Sequence, residues 1–314
     1  MELNVYAEEL TDEAIDLICG MYNDAYSEII DYLSDVLDYD KNPNFSKIPL
    51  NEVLNTIYEM LDDLGADIEI IAANKIEEAV EMGYSENEYA YLLAMGIVKS
   101  LEEIFEETGA DKVIGVSDSL IKETVKDLVN ATDNAKFTLT QLIKETFSKH
   151  NALSFLVGAN TVLSTAVKNQ ITSTGLKLSI QNGVIGIVDR AGRRWKLHTY
   201  VDMLVKTKYH QARVQGMKEF YRKNGYGDLA IIPRVGSIDD CANFEGAIIS
   251  LSGDNPDYPS YDELQDTNMI FHPRCRHIPI PIYDIDALSD KDYEYWEEHE
   301  DEFEDILEDY MDDY

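Results

Sequence analysis

Ile15, Ile18, Tyr22, Ala25, Ile29, Leu33 and Val36 recur at spacings of three and four residues. That spacing puts their side chains on one face of an α-helix. A chain that repeats the pattern through its first half must bury several helical stripes against one another. The first predicted helix covers 10–39, with Thr11 as its cap and Asp12 and Glu13 suited to the positive end of its dipole. Pro43 and Pro49 bound a break over 40–49. Further helices are predicted over 51–64, ended by Gly65, over 67–82, ended by Gly83, and from Ser85 to about Thr108, where Glu88 completes a capping-box pattern. Stretches at 117–130, 136–150 and 152–172 follow, the last apolar most of the way round and so expected at the centre of a bundle.

At Gly175 the texture changes. Residues 177–180, Gln181-Asn182-Gly183 and 184–188 alternate and turn like a β-hairpin. A second turn at 189–192 leads to a strand at 193–197. A long amphipathic helix is predicted from Thr199 to about Lys223, ended by Asn224-Gly225. Short strands are read at 229–235 (an edge or a bulge, because Pro233 lies inside), 247–251, 270–271 and 278–282, with a helical turn at 261–265. The expected class is α+β: a mostly helical region over 1–175, a small α+β module with short antiparallel strands over 176–283, and an acidic helix or tail over 284–314.

Charge follows the same division. The chain has 314 residues and a net charge of −35. Residues 1–133 carry −25, residues 134–283 carry +5 and residues 284–314 carry −15, while 136–223 alone carries +11. The acidic ends argue against phosphate binding there, and the basic middle does not. Arg190, Arg193, Arg194, Lys196, Lys206, Lys208 and Arg213 are the candidate contacts to nucleic acid or to an acidic protein surface. The plainer reading is a solvated helix face whose charges are neutralised by the acidic segments. With 45% hydrophobic residues the charge does not signal disorder. No 18-residue apolar run calls for a membrane span, and the first residues do not read as a signal peptide.

Three cysteines, Cys19, Cys241 and Cys275, are too few for a disulfide-stapled secreted module. The sharpest constellation is Cys241 with His272, Cys275 and His277. Zn²⁺ takes four nitrogen or sulfur ligands in a tetrahedron, and side chains two apart on an extended segment point the same way. These four residues are therefore the candidate metal ligands. No CxxC knuckle is present, since Ala242-Asn243-Phe244 follows Cys241. The alternative is two small packing cysteines that touch, or a disulfide in an oxidising medium. Asp239, Asp240 and Glu245 are close carboxylates that read as loop solvation or helix capping. His150, His198 and His210 have no metal spacing and read as surface or helix-end residues. Gly183, Gly186 and Gly192 form no phosphate loop.

Several motifs in order resemble a known group. They are Gly186-Ile187-Val188-Asp189-Arg190-Ala191-Gly192-Arg193-Arg194-Trp195, then Tyr200-Val201-Asp202-Met203-Leu204-Val205-Lys206-Thr207, and then Leu229-Ala230-Ile231-Ile232. Ser237-Ile238-Asp239-Asp240-Cys241, Phe244-Glu245-Gly246 and the closing His272-Pro273-Arg274-Cys275-Arg276-His277 complete the set. Over roughly 183–283 the chain resembles phage minor capsid (minor head) proteins of the phage Mu F-like head morphogenesis group. Many relatives carry CxxC where this chain has only Cys241, and some end in Cys-x-Cys where it has Cys275-Arg276-His277.

The resemblance implies a structural virion component in few copies, bound near the portal vertex and procapsid. Such a component would assist head morphogenesis and DNA packaging or delivery. Implied partners are the portal protein, the major capsid or scaffolding protein, and DNA without sequence specificity, with no membrane. Implied locations are the phage head and, during assembly, the host cytoplasm. No catalytic activity and no cofactor beyond a structural zinc are implied. The competing class is a zinc-dependent hydrolase or nuclease using the Cys241, His272, Cys275 and His277 cluster, with Glu245 as general base. A third reading is a companion that is ejected with the DNA.

Overall fold

The computed structural model describes residues 2–36, 49–108, 115, 117–157, 186–188 and 194–283, together with residues 295, 298, 299, 303 and 306. Among them are helices α1 (Glu2–Val36), α2 (Leu50–Ala94), α3 (Leu101–Thr108), α4 (Asp118–Val157), α5 (Leu197–Asn224) and α6 (Tyr261–Asp266). The strands are β1 (Gly186–Val188), β2 (Arg194–Lys196), β3 (Leu229–Ile231), β4 (Ile248–Ser250) and β5 (Ile280–Pro281). The fold is α+β, with long helices first and a three-stranded antiparallel sheet in the order β4-β3-β5 near the end. No helix among the described residues is long and apolar enough to cross a membrane. The expected boundary near 175 lies outside the described residues, as do most of the 40–49 break, the first hairpin arm at 177–180, the helix beyond Val157 and most of the acidic tail.

Helix ends differ most from the sequence reading. Thr11 is buried inside α1, which begins at Glu2, so it does not open the helix. Gly65 and Gly83 do not end helices, because α2 runs through both. The end of α2 is set at Gly96, whose φ of 75° is left-handed. There the Gly96 N–H donates to the Leu93 carbonyl at 3.0 Å, and the Ile97 N–H to the Leu92 carbonyl at 2.9 Å. These are the paired bonds of a Schellman motif. Ser85 opens no helix: it is buried, and its hydroxyl lies within hydrogen-bond distance of the Glu81 carbonyl and of Thr108 Oγ1. The capping box belongs to α3, where Ser100 Oγ accepts from the Glu103 N–H at 3.1 Å and Glu103 Oε2 accepts from the Ser100 N–H at 2.9 Å. The helices expected at 117–130 and 136–150 are one continuous element, α4.

Contacts divide the chain into two compact units. One contains Ile15–Ala72 and Thr124–Leu204. Its buried residues follow the helical stripes: Ile18, Tyr22, Ile29 and Leu33 on α1, Val53, Ile57, Leu61 and Ile68 on α2, and Leu128, Ala135, Leu139 and Ile143 on α4. Burial of these stripes supplies the driving force for assembly. Polar groups inside are paired. The Tyr22 hydroxyl donates to the Leu128 carbonyl at 3.1 Å and meets Thr132 Oγ1 at 3.0 Å. Burial pushes that phenol up to about 12. Cys19 is buried on α1, and burial, then Asp202 and Asp16, push its thiol up to about 11. It is therefore an inert packing residue.

The other unit contains Met1–Ala14, Ala73–Glu123 and Val205–Tyr314. Here α5 lies directly on α2. A β-carbon on Gly83 would stand 1.7 Å from the Arg213 carbonyl oxygen, and one on Gly216 would stand 1.9 Å from that of Val80. The two helices touch backbone to backbone, and only glycine permits it. Beside this crossing Arg213 and Glu86 are both buried and form a two-pronged ion pair, with Nε to Oε2 at 3.2 Å. Asn87 donates to the carbonyls of Met217 and Gly227 at 3.0 and 2.9 Å and so ties α2 to the entry of β3.

The other face of α5, through Val214 and Met217, packs on the sheet in a core with Ile232, Phe244, Ile248, Leu251, Leu264 and Phe271. Phe303, from the acidic C-terminal region, is buried in the same core. Ala230 pairs with Ile249 on one side and Pro281 on the other. Proline is tolerated there because β5 is an edge. β3 ends at Ile231, before Pro233 rather than around it, and the strand expected at 270–271 is a bend.

Candidate metal centre

Two loops of this second unit bring the sharpest residues together. Cys241 lies in a short 3-10 helix, Asp240–Phe244, between β3 and β4. His272, Cys275 and His277 lie in the loop before β5. Within it the Cys275 N–H donates to the His272 carbonyl at 2.9 Å, which closes His272-Pro273-Arg274-Cys275 as a turn. Arg274 has φ of 68°, so the proline and the left-handed third residue match a type II turn. Phe271, just before it, has φ of 55°. A bulky residue adopts that conformation only where its surroundings impose it, here the core that buries Phe271. The His-Pro-Arg-Cys turn places His272 and Cys275 on one loop.

Three of the four predicted ligands, Cys241, Cys275 and His277, form one cluster, and His272 joins it only through Cys241. Cys241 and Cys275 are reduced and buried, with sulfurs 3.7 Å apart. His277 Nδ1 is 3.3 Å from the Cys275 sulfur. His272 Nε2 is 2.9 Å from the Cys241 sulfur. The donor atoms of Cys241, Cys275 and His277 all lie within 4.8 Å of one another, as do those of Asp239, Cys241 and His272. The two triads share Cys241.

Both imidazoles are held by acceptors on their far nitrogens. His277 Nε2 donates to Glu245 Oε1 at 3.0 Å, and His272 Nδ1 donates to the Pro273 carbonyl at 3.0 Å. Carboxylate and carbonyl oxygens only accept, so in each ring the far nitrogen carries a hydrogen and the near nitrogen faces a sulfur. Glu245 is itself fixed by the N–H groups of Gly236 and Ser237 at 3.2 and 2.8 Å. Burial pushes Glu245 up, but those bonds and His277 outweigh it and hold it below its ordinary range. Burial likewise opposes charge on Cys275 and His277, but their mutual hydrogen bond lowers the thiol and, with Glu245, raises the imidazole. The Cys241 thiol is pushed up by burial and then by Cys275.

Sequence reasoning missed two roles. Glu245 orients His277 rather than solvating a loop. His210, expected at the surface, faces inward from α5 and hydrogen-bonds the Cys275 backbone; burial, then Arg213 and Lys206, hold it down to about 3. His210, Tyr261, His272, Cys275 and His277 line a cavity of about 10 Å³. That is room for about one water.

The described basic candidates do not all reach the surface. Arg213 is 1% exposed and pairs with Glu86, so it reaches no partner. Lys208 bonds Glu123 at 3.4 Å, and Lys218 bonds Asp262 at 2.7 Å. Arg222 and Lys223 both pair with Glu219. Lys206 lines a cavity with Glu8, Asp12 and Arg276. Lys196 is exposed at the end of β2, which also carries Arg194. Arg190 and Arg193 lie outside the described residues.

A family model described as Phage minor capsid protein 2 matches residues 7–306. It therefore covers the helical first half, where the sequence carries no signature, as well as the module whose motifs do. No curated protein and no solved structure matches.

Proposed function

Because the chain belongs to the phage minor capsid protein 2 family, we propose that it docks on the portal vertex as a low-copy head component and assists head assembly and DNA packaging or delivery. Membership makes it a structural protein of the phage virion that works among other head proteins. The observation that supports docking through protein contacts is an apolar tip at the end of α2. Leu93, Met95, Ile97 and Val98 are all exposed, Val98 by 89%. The Schellman turn at Gly96 projects them together. Apolar side chains clustered on a surface in this way mark interaction sites, and a loop held by a capped helix is a common place for one.

A non-specific DNA role is less well supported. Five of the basic side chains on α5 are engaged in ion pairs inside the protein, which leaves Arg190, Arg193, Arg194, Lys196 and Lys206 as the candidates. An enzymatic role is also less well supported. Glu245 is turned to His277 and two backbone N–H groups, and the adjoining cavity has no room for a substrate.

Co-expression with the portal protein of the same phage tests the docking. The chain is expected to co-purify with portal rings. Met95→Glu with Val98→Glu should reduce recovery at least tenfold while leaving the circular dichroism spectrum unchanged. Undiminished recovery of that variant would contradict docking through the tip, and failure of the unmodified chain to co-purify would contradict portal docking itself.

A further inference from the structure

We infer that Cys241, Cys275, His277 and His272 bind one Zn²⁺ in a closed tetrahedral site that staples the Asp240–Phe244 turn to the loop before β5. The inference is independent of the docking proposal, since it rests on donor geometry alone. Zn–S bonds of about 2.3 Å at tetrahedral angles place two sulfurs about 3.8 Å apart, and Zn–N bonds of about 2.0–2.1 Å place sulfur and nitrogen about 3.5 Å apart. The Cys241–Cys275 separation is 3.7 Å and the Cys275–His277 separation is 3.3 Å. His272 Nε2 stands 2.9 Å from Cys241 but groups with Asp239 and Cys241 rather than with Cys275 and His277, so its ring must swing toward the triad as the metal enters. His272 is the outermost donor, with its side chain 26% exposed, so it has the freedom to make that adjustment.

The surrounding shell has the form that zinc-bound imidazoles need. Each ring's non-ligating nitrogen is engaged by an oxygen acceptor, and for His277 that acceptor is a carboxylate anchored by two backbone N–H groups. Such partners fix the tautomer and the ring orientation of ligating histidines. Two thiolates and two neutral imidazoles also balance the ion's charge. On binding, each cysteine still protonated releases its proton to solvent as its Zn–S bond forms. Four protein donors leave no open coordination position, which makes the site structural rather than catalytic. Asp239 is the competing fourth donor; its carboxylate is 58% exposed and 3.9 Å from His272 Nε2.

The test uses the full chain purified under reducing conditions without chelator. Elemental analysis is expected to give one zinc per chain. Replacement by Co²⁺ is expected to give the visible bands of a tetrahedral site together with thiolate charge-transfer absorption in the near ultraviolet. Cys241→Ser and Cys275→Ser should each abolish the charge-transfer band or reduce it by about half, and His272→Asn should weaken binding more than Asp239→Asn does. Glu245→Gln should weaken zinc binding by about 10–100-fold while leaving the cobalt spectrum tetrahedral.

If the cysteine variants fail to fold, the cobalt spectrum of the unmodified chain still decides. A chain that takes up neither zinc nor cobalt overturns the site. So does a Cys241–Cys275 disulfide persisting in the reductant, or stoichiometric zinc in a folded Cys241→Ser/Cys275→Ser variant. A greater loss with Asp239→Asn than with His272→Asn overturns His272 as the fourth ligand.

Discussion

Arg213→Met is expected to destabilise the fold by about 3–5 kcal/mol, the usual consequence of leaving one member of a buried ion pair without its partner. Arg213 is 1% exposed and Glu86 is 3% exposed. The pair is held in place by the Gly83–Gly216 crossing, so neither side chain can swing to water. Burial already pushes the Glu86 carboxyl up, with Arg213 pulling it back. Removing the guanidinium leaves only the upward push, and Glu86 folds protonated. The folded variant then binds a proton that the unfolded chain, with a carboxyl near 4.3, releases. Its stability therefore falls as pH rises above that range, and the deficit against the unmodified protein shrinks on acidification. Replacing both residues, Arg213→Met with Glu86→Leu, should recover most of the loss, because an apolar pair of similar volume replaces the ions without their desolvation. Urea unfolding at several pH values checks this. A loss under about 1 kcal/mol, or a double variant as unstable as the single one, would contradict the reading.

Gly83→Ala and Gly216→Ala are expected to cost about 3 kcal/mol each, at or beyond the upper end of overpacking effects. Ala normally stabilises a helix interior relative to Gly by about 0.5–1 kcal/mol, so the expected sign is itself diagnostic. The added methyl would meet backbone carbonyl oxygens at 1.7 and 1.9 Å. No rotamer change relieves a clash with backbone, so α2 and α5 must separate. Gly65→Ala is the control: the same helix, with nothing within 4 Å of the added atom. It should raise the unfolding midpoint. Opposite signs at Gly65 and Gly83 in thermal unfolding establish the close crossing, and stabilisation at all three positions would contradict it.

The same glycines show what could be read from sequence. The α+β class was legible because apolar stripes and turn residues report on the local period. The existence of the long helices was legible for the same reason. Their ends were not. A glycine in a helical pattern can be a left-handed cap, as at Gly96, a point of close approach, as at Gly83, or neither, as at Gly65, and local sequence does not separate them. Ser85 with Glu88 and Ser100 with Glu103 present the same capping spacing, yet only the second pair caps, because Ser85 is buried within α2 against Thr108.

The four clustered donors were legible as residue types at suggestive spacing. The turn that carries His272 and Cys275 was signalled only by Pro273 in His-Pro-Arg-Cys. The part played by Glu245 depends on a contact with His277, 32 residues away. The basic stripe was misjudged at Arg213 for a related reason. A charge run has the same sequence pattern whether it faces a partner or an acid such as Glu86, 127 residues distant.

Quantitative mass spectrometry of purified virions and procapsids tests the central claim, that this chain is a low-copy structural protein of the phage head. The account predicts that it is present in both, at a small fraction of the major capsid protein and in a constant ratio to the portal protein. Particles that assemble and package DNA yet contain none of it would contradict the account.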